Sequence, residues 1–422
     1  MCLLPFLTAA GVVDAGTAPV QTPRAGLWST GPHLITGRER HTATLLRDGR
    51  VLVTGGSDGR NTALATAEIY NPKTHRWTAA GRMSTPRLAH AATLLASGKV
   101  LVVGGIAVPM PSSTLASAEV YDPATNGWSA VAPMSGGRAR PTATRLRDGR
   151  VLVVGGISLV QRGNEFFEGG ASDAEIYDPV ANRWSGTAPM ALYRHDHTAT
   201  MLADGRVLVA GGDASDQPGP LETAEVYDPG QDRWLPVPSM GTGRLGHAAT
   251  LLANGTVAVT GGIGAGITPF RAVEIYDPRL NSWSPRAPLA DAHVGETAIS
   301  LGTGAVLVVG TTDRSQPELY DPGHNRWLYT GPTMLRYNQT ATRLGDGRVL
   351  IAGGYGLESL ASSLIFDPNG VAPVPLKPLD PRMLAALLFA GLLLGSGIAW
   401  SIPGVRQRVK RLRPAGDEWV EM

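Results

Sequence analysis

The chain has 422 residues, of which 43% are hydrophobic, and it carries a formal net charge of +2 at pH 7. Such a chain can bury a large core, and its nearly balanced charge gives no sign of a general nucleic-acid binder. The single cysteine, Cys2, excludes a disulfide within the chain.

Residues 1–24 form a leader that precedes every repeated pattern. It holds a short apolar run with no basic residue in front of it, which is a weak or truncated version of a secretory signal peptide. We expect either such a signal or a disordered leader.

The block at residues 41–56, HTATLLRDGRVLVTGG, is repeated with variations along the chain at a spacing of roughly fifty residues. Its Asp-Gly pair predicts two strands joined by a two-residue type I′ hairpin turn. The second strand is continuously apolar, as expected when both faces are buried. The two glycines that end it permit positive φ or close backbone approach. The later copies begin at residues 90, 141, 197, 247, 296 and 339.

A second block of the form Ala-Glu-Ile-Tyr-Asp-Pro follows each of these hairpins, in a degenerate form after the last one. Its β-branched and aromatic residues predict a third strand, and Asp-Pro predicts a turn into a fourth. In six repeats a tryptophan stands on that fourth strand, five residues after the proline: Trp77, Trp128, Trp184, Trp234, Trp283 and Trp327.

Four-stranded units of this kind bury their faces by packing around an axis, as in a β-propeller. The glycine pair, the Tyr-Asp-Pro and the spaced tryptophan resemble kelch repeats, most of all those of bacterial secreted proteins and of the galactose-oxidase-like central domain. The resemblance covers residues 25–370. It implies an all-β fold, a seven-bladed kelch β-propeller.

The two ends of the repeat region complement each other. The seventh repeat ends in SLIFDP (363–368) without a tryptophan, whereas Trp28 precedes the first repeat. We therefore expect the N-terminal strand around Trp28 to pair with residues 340–368. This pairing would close the ring and remove an exposed sheet edge.

The loops of a propeller divide into two faces because its strands alternate in direction. The Asp-Gly and Asp-Pro turns share one face, and the variable segments after the glycine pairs share the other, where binding loops are expected. The longest variable segment, residues 157–173, is predicted to be a loop. Its Phe166 and Phe167 are candidate ligand-binding anchors, unless they fold back on the propeller.

A set of basic residues precedes the first strand of each repeat. In kelch propellers this position lies near the central mouth. Ligand-binding residues of kelch protein-recognition domains, and a copper ligand of the galactose-oxidase family, occupy a similar position. The resemblance therefore implies these ligand-binding candidates: Arg38, His41, Arg87, His90, Arg138, Arg194, His197, Arg244, His247, His293 and Arg336.

The alternative is that these residues belong to the scaffold, since they recur with the repeat. The arginines could then pair with the repeated glutamates of the third strands, because a buried glutamate needs such a partner. Those glutamates are Glu68, Glu119, Glu175, Glu225, Glu274 and Glu318. The pattern is broken by Pro141, His293, Glu296 and Gln339, which either mark a functional side or reflect drift.

We assign no catalytic residue, metal or cofactor. Histidines on different blades would have to converge to about 2 Å from one ion. The resemblance to galactose oxidase implies a cysteine–tyrosine cofactor, yet Cys2 lies outside the propeller. Neighbouring strand residues point to opposite faces, so His195, Asp196 and His197 cannot all meet one substrate.

The C-terminal part predicts a membrane anchor. A proline-rich linker (371–382) leads to an uncharged segment (383–405), which at the helical rise reaches about 34 Å, enough for one transmembrane α-helix. The tail (406–422) begins with five basic residues within RQRVKRLR, and this excess predicts a cytoplasmic tail and an outward-facing propeller.

The sequence thus predicts a membrane-anchored, extracytoplasmic module that binds a protein or a glycan through its variable-loop face. One alternative is a carbohydrate-active surface enzyme, of epimerase or lyase type, that uses polar residues of the central mouth. Another is a structural module within a larger envelope complex.

Overall fold

The computed structural model describes residues 26–370 except for 61, 109–113, 163–164, 171–172, 215–218, 266–267, 303, 311–315 and 333–334. For residues 159–162 and 165–170 it describes the backbone only. The leader, the linker 371–382, the segment 383–405 with its predicted helix, and the tail 406–422 lie outside the described residues. No helix in the described part is long and apolar enough to cross a membrane.

Within the described residues the chain forms seven four-stranded antiparallel sheets, called blades here, and one separate hairpin. Blade 1 contains β2 (Thr42–Leu45), β3 (Val51–Thr54), β4 (Ala67–Asn71) and β5 (Arg76–Ala79). Blade 2 contains β6 (Ala91–Leu94), β7 (Val100–Val103), β8 (Ala118–Asp122) and β9 (Gly127–Val131). Blade 3 contains β10 (Thr142–Arg145), β11 (Val151–Val154), β14 (Ala174–Asp178) and β15 (Arg183–Gly186).

Blade 4 contains β16 (Thr198–Met201), β17 (Val207–Ala210), β18 (Ala224–Asp228) and β19 (Arg233–Val237). Blade 5 contains β20 (Ala248–Leu251), β21 (Val257–Thr260), β22 (Val273–Asp277) and β23 (Ser282–Arg286). Blade 6 contains β24 (Thr297–Ser300), β25 (Val306–Val309), β26 (Glu318–Asp321) and β27 (Arg326–Tyr329). Blade 7 contains β28 (Thr340–Arg343), β29 (Val349–Ala352), β30 (Ser363–Asp367) and β1 (Leu27–Thr30). The hairpin consists of β12 (Ile157–Arg162) and β13 (Glu165–Gly170).

The first strands of neighbouring blades contact each other all the way round, and β2 of blade 1 touches both β6 of blade 2 and β28 of blade 7. These strands therefore surround the propeller axis, and the other strands follow outward in order. The prediction of an all-β, seven-bladed propeller is confirmed.

The hydrophobic core lies between the blades. The second strand of every blade is buried along its whole length, which confirms the expectation from its apolar sequence. Val51 and Val53 of blade 1, for example, pack in one cluster with Leu344 and Leu350 of blade 7. Each blade alone would expose these side chains to water, so the stability of one blade depends on its neighbours.

The repeated tyrosine and tryptophan connect each blade to the one before it. In blade 1 the rings of Tyr70 and Trp77 lie 5.2 Å apart, and Trp77 Nε1 donates a hydrogen bond of 3.1 Å to the carbonyl of Pro32. Pro32 belongs to the connection that arrives from blade 7. The tryptophan thus has a role that its spacing alone did not reveal.

The ring closes as predicted. Trp28 of β1 lies opposite Phe366 of β30, and their rings are 5.0 Å apart. Trp28 Nε1 also donates to Thr330 Oγ1 of blade 6 at 3.1 Å, so it bonds to the preceding blade as the other tryptophans do, although to a hydroxyl rather than a backbone carbonyl.

The predicted type I′ turns are wrong. In blade 1 the Leu46 amide donates to the Arg50 carbonyl and the Gly49 amide donates to the Leu46 carbonyl, and Gly49 has a φ of 85°. Asp48 does not have positive φ, so the turn is a three-residue loop of type I followed by a left-handed glycine. Asp48 Oδ1 accepts the Arg50 amide at 3.0 Å, which favours this geometry.

The segment 157–173 is a hairpin rather than a loop. Strands β12 and β13 pair along their whole length, with Ile157 opposite Gly170 and Val160 opposite Phe167. A Gly-Asn pair separates the two runs in the sequence, and this dipeptide is a hairpin signal.

Replacing Trp28 tests the closure of the ring. We expect Trp28→Ala to lower the free energy of unfolding by about 3 kcal/mol, because the Phe366 contact and the bond to Thr330 are both lost. Trp28→Phe keeps an aromatic ring without the bond and should lose about 1 kcal/mol. Urea denaturation measures both values, and an alanine variant as stable as the original chain would show that closure at β1 does not stabilise the ring.

Candidate functional site at the propeller mouth

An ion pair stands at the start of each of the first five blades. In blade 1, Arg38 Nη2 lies 2.6 Å from Glu68 Oε1, and both side chains are buried. The other pairs are Arg87–Glu119 (3.0 Å), Arg138–Glu175 (2.7 Å), Arg194–Glu225 (3.0 Å) and Arg244–Glu274 (2.5 Å). The pairing of arginines with the repeated glutamates is therefore confirmed.

Each of these arginines also satisfies backbone groups where the second and third strands separate. Arg38 Nη1 donates to the carbonyls of Gly55 (2.8 Å) and Thr66 (3.1 Å), and Glu68 accepts the amide of Ile35 at 2.6 Å. The pair therefore joins two strands of its blade to the connection that enters the blade. In Arg38 this network occupies all five N–H donors of the guanidinium, as expected of a scaffold residue. In the other four arginines of the set, the Nε has no partner among the described residues.

The histidines of this set join neighbouring blades. His90 Nε2 lies 3.0 Å from Thr42 Oγ1 of blade 1, and His41, His197 and His247 make the same contact with a threonine of the blade before theirs. Burial, strengthened by the nearby arginines, lowers the pKa of His41 to about 3. These imidazoles are neutral and covered, so they cannot attract an anion from solvent.

The first glycine of each pair makes room for the next blade. A Cβ on Gly55 would lie 2.7 Å from His90 Cε1, and the backbone there has a φ of 60°. Gly55 thus combines the two features expected of the glycine pair, positive φ and a close approach to a neighbouring segment.

A further ring of residues, absent from the sequence predictions, forms the outermost layer of the mouth. Each stands immediately before the histidine position and has positive φ. Backbone hydrogen bonds join neighbours in this ring, such as Ala89 N to Arg40 O (3.0 Å) and Arg140 N to Ala89 O (2.7 Å). We call it the mouth ring: Arg40, Ala89, Arg140, Asp196, Gly246, Gly295 and Asn338.

The mouth ring differs from blade to blade, in contrast to the layer beneath it. The side chains of Arg40 and Arg140 are 42% and 37% exposed, whereas Gly246 and Gly295 leave the opposite side of the mouth without side chains. The sequence signal for this ring was a variable position next to a repeated histidine. A pattern search that looks for recurrence overlooks such a position.

Asp196 is the acidic member of the mouth ring. It accepts hydrogen bonds from Arg140 Nη1 at 2.6 Å and from His195 Nδ1 at 3.1 Å. Burial alone would raise the pKa of Asp196, but the bond from His195 and the charge of Arg140 lower it to about 2. His197 points instead to Thr142 of blade 3, so the triplet at 195–197 does not act on one ligand.

Phe166 and Phe167 lie on β13 of the hairpin, beyond the glycine pair of blade 3. Their side chains lie outside the described part of the structure, and their role as binding anchors stays a prediction.

Comparison with known proteins agrees with this architecture. The Kelch motif matches residues 40–84, 87–135 and 196–241. A fungal alcohol oxidase of the AA5 family, solved in complex with copper, is 20% identical with a TM-score of 0.65 over 82% of this chain and 76% of its own. A protein named YjhT is 14% identical with a TM-score of 0.56 over 71% of this chain and 99% of its own. No curated protein sequence matches the chain.

These similarities establish a propeller with kelch motifs, and at such identities they establish the fold alone. The residues at the mouth do not fit a copper site like that implied by the oxidase. Each of the four histidines directs Nε2 to a threonine, and no group of three His, Cys, Asp or Glu among the described residues is placed to hold a metal ion.

The seam between blades 5 and 6 departs from the pattern. His293 replaces the arginine, with its ring nitrogens 2.6 Å from the Gly310 carbonyl and 3.0 Å from Glu318 Oε1. Glu296 replaces the histidine, and its Oε1 accepts a hydrogen bond from Thr260. Burial alone would lower the pKa of His293, but its bonds to Glu318 and Gly310 raise it above the ordinary value.

Glu296 gives this seam a pH dependence opposite in sign to that of the seams with buried neutral histidines. Burial raises its pKa from 4.5 to about 7, against the opposing charge of His293. The folded chain therefore retains a proton that the unfolded chain has lost. The contribution of Glu296 to the free energy of unfolding is therefore greatest below pH 4.5, and it falls as the pH rises to about 7.

We expect Glu296→Gln to remove a decline of about 3 kcal/mol in unfolding free energy between pH 4.5 and 7. Urea denaturation at a series of pH values measures this slope. Gln339→Asn is the matched control, because it alters the equivalent position of blade 7 and neither adds nor removes a titratable group. An unchanged slope in the Glu296→Gln variant would show that folding does not raise the pKa of Glu296.

Proposed function

We propose that the chain is a membrane-anchored, extracytoplasmic kelch propeller that binds a protein or a glycan through its variable-loop face. The observation that carries the proposal is the contrast between two layers at the mouth. The inner arginines, glutamates and histidines are buried and bond to other scaffold groups, whereas the mouth ring above them is partly exposed and carries Arg, Ala, Asp, Gly or Asn according to the blade. Kelch propellers serve widely as protein-interaction folds, and a surface of this kind suits recognition better than chemistry.

Recognition is assigned to the mouth ring and to the hairpin β12–β13. Arg40 and Arg140 present two guanidinium groups at one side of the opening, where they can bind carboxylate or carbonyl oxygens of a partner. An enzyme that used the inner arginines and histidines would need them free to contact substrate, whereas they are buried and hold scaffold partners.

The positions of the chain ends support an outward-facing mouth. Gly370 lies against Leu27, and both are on the face of the Asp-Gly and Asp-Pro turns, opposite the mouth ring. An anchor that begins with the linker 371–382 would leave the propeller from that face. The uncharged segment 383–405 and the basic residues that follow it remain our basis for the span and its orientation.

The orientation can be tested with two epitope tags in intact cells. A tag inserted beside Asp58, in an exposed loop of the variable face, should bind antibody from outside. A tag after Met422 should bind antibody only once the cells are permeabilised. A C-terminal tag that is accessible from outside would contradict the proposed topology.

Recognition can be tested by quantitative capture of partners with the full-length chain. We expect Arg40→Ala/Arg140→Ala to weaken capture about tenfold, because two exposed donors at the mouth are lost. The matched control is Arg206→Ala/Arg348→Ala, which removes two comparably exposed arginines from the opposite face. Equal capture by both double variants would show that the mouth ring does not contribute to partner binding. A parallel Phe166→Ala/Phe167→Ala variant tests the contribution of the hairpin in the same assay.

A further inference from the structure

Blade 7 retains the inner arginine but lacks the acid that accompanies it in blades 1 to 5. Arg336 Nη1 donates to the carbonyls of Gly353 (2.7 Å) and Ser362 (3.0 Å), and Nη2 donates to Ser362 Oγ (2.5 Å). Leu364 lies opposite Ile351, at the register where Glu68 lies opposite Val53 in blade 1. No carboxylate of the described residues contacts Arg336.

This arginine is a buried charge without a counter-ion in the described part of the chain. It is 5% exposed, and burial lowers its pKa to about 10 with no acid to oppose the effect. In blades 1 to 5 an Nη2 hydrogen points to a carboxylate at 2.5–3.0 Å. A guanidinium held away from water without such a partner is costly, so this position favours an anion.

The position of the missing acid is accessible to solvent. Leu364 is partly exposed, whereas the corresponding glutamates are buried. An anion could therefore approach Arg336 over Leu364.

We propose that Arg336 and Ser362 form a binding site for a carboxylate that is supplied from outside the propeller. The five internal glutamates show which chemistry this position accepts, since each places one carboxylate oxygen on the arginine and the other on a backbone amide. The Ser362 hydroxyl, which accepts from Arg336, is free to donate its own hydrogen to the ligand. The carboxylate comes either from a small organic acid or from a protein partner.

The test compares the thermal unfolding of the full-length chain in sodium acetate and in sodium chloride of equal ionic strength. We expect acetate to raise the midpoint of the original chain by about 2 °C relative to chloride. Leu364→Glu supplies the missing carboxylate internally, so it should raise the midpoint without ligand and abolish the difference between the two salts. The control Leu364→Gln introduces a side chain of the same shape as glutamate but without the charge, so it should not raise the midpoint.

Two results would overturn the proposal. One is an acetate effect of equal size in the original chain and in Leu364→Glu, which would place the effect elsewhere. The other is a Leu364→Glu chain no more stable than Leu364→Gln, which would show that Arg336 has no need of a carboxylate. Neither result depends on whether the mouth ring binds a partner.

The partner-capture assay distinguishes the two sources. If the carboxylate belongs to a protein partner, Leu364→Glu should lower capture as well as abolish the acetate effect. If it belongs to a small acid, Leu364→Glu should abolish the acetate effect and leave capture unchanged.

Discussion

The buried arginine–glutamate pair at the start of blades 1 to 5 is the interaction on which the rest of the structure depends. After the glycine pair the second and third strands separate, which leaves the Gly55 carbonyl without a ladder partner and the Thr66 carbonyl with only the Gly55 amide, at 3.1 Å. Arg38 supplies the missing donors, and Glu68 offsets the cost of burying its charge. Because Glu68 also accepts backbone amides of the incoming connection, the ion pair links blade 1 to the connection from blade 7, and the pairs of blades 2 to 5 do the same in their blades.

Much of the fold could be predicted from the sequence because its internal contacts repeat. Seven hairpin blocks and an unmatched Trp28 were enough to predict the number of blades and the closing strand. The pairing of Arg38 with Glu68 could be anticipated because a buried charge requires a partner. The mouth ring could not be predicted in this way. Its positions require positive φ, as at Arg40 and Asp196, but this requirement does not specify which residue occupies them. Turn type at Asp48 was also missed, because the same dipeptide fits two loop geometries.

Apart from Pro141 in blade 3, the departures from the repeated arginine, histidine and glutamate lie in blades 6 and 7. His293 and Glu296 replace an arginine and a histidine, Gln339 occupies a histidine position, and Leu364 replaces a glutamate. Gln339 Nε2 donates to the Val309 carbonyl, so even this substitution keeps the contact between neighbouring blades. The ring therefore tolerates chemical change at this position, either with a polar group that still reaches across the seam, as at Gln339, or without one, as at Pro141. This tolerance explains how a symmetric scaffold can carry an asymmetric surface.

The closing strand has a consequence for the topology of the chain. Leu27 and Gly370 are in contact, so the polypeptide begins and ends the propeller at one point on its rim. Joining these positions and cutting the chain at another turn would produce a circular permutant with the same sheets in the same order. The non-covalent junction would then move to a different blade, and with it the place where the ring first opens.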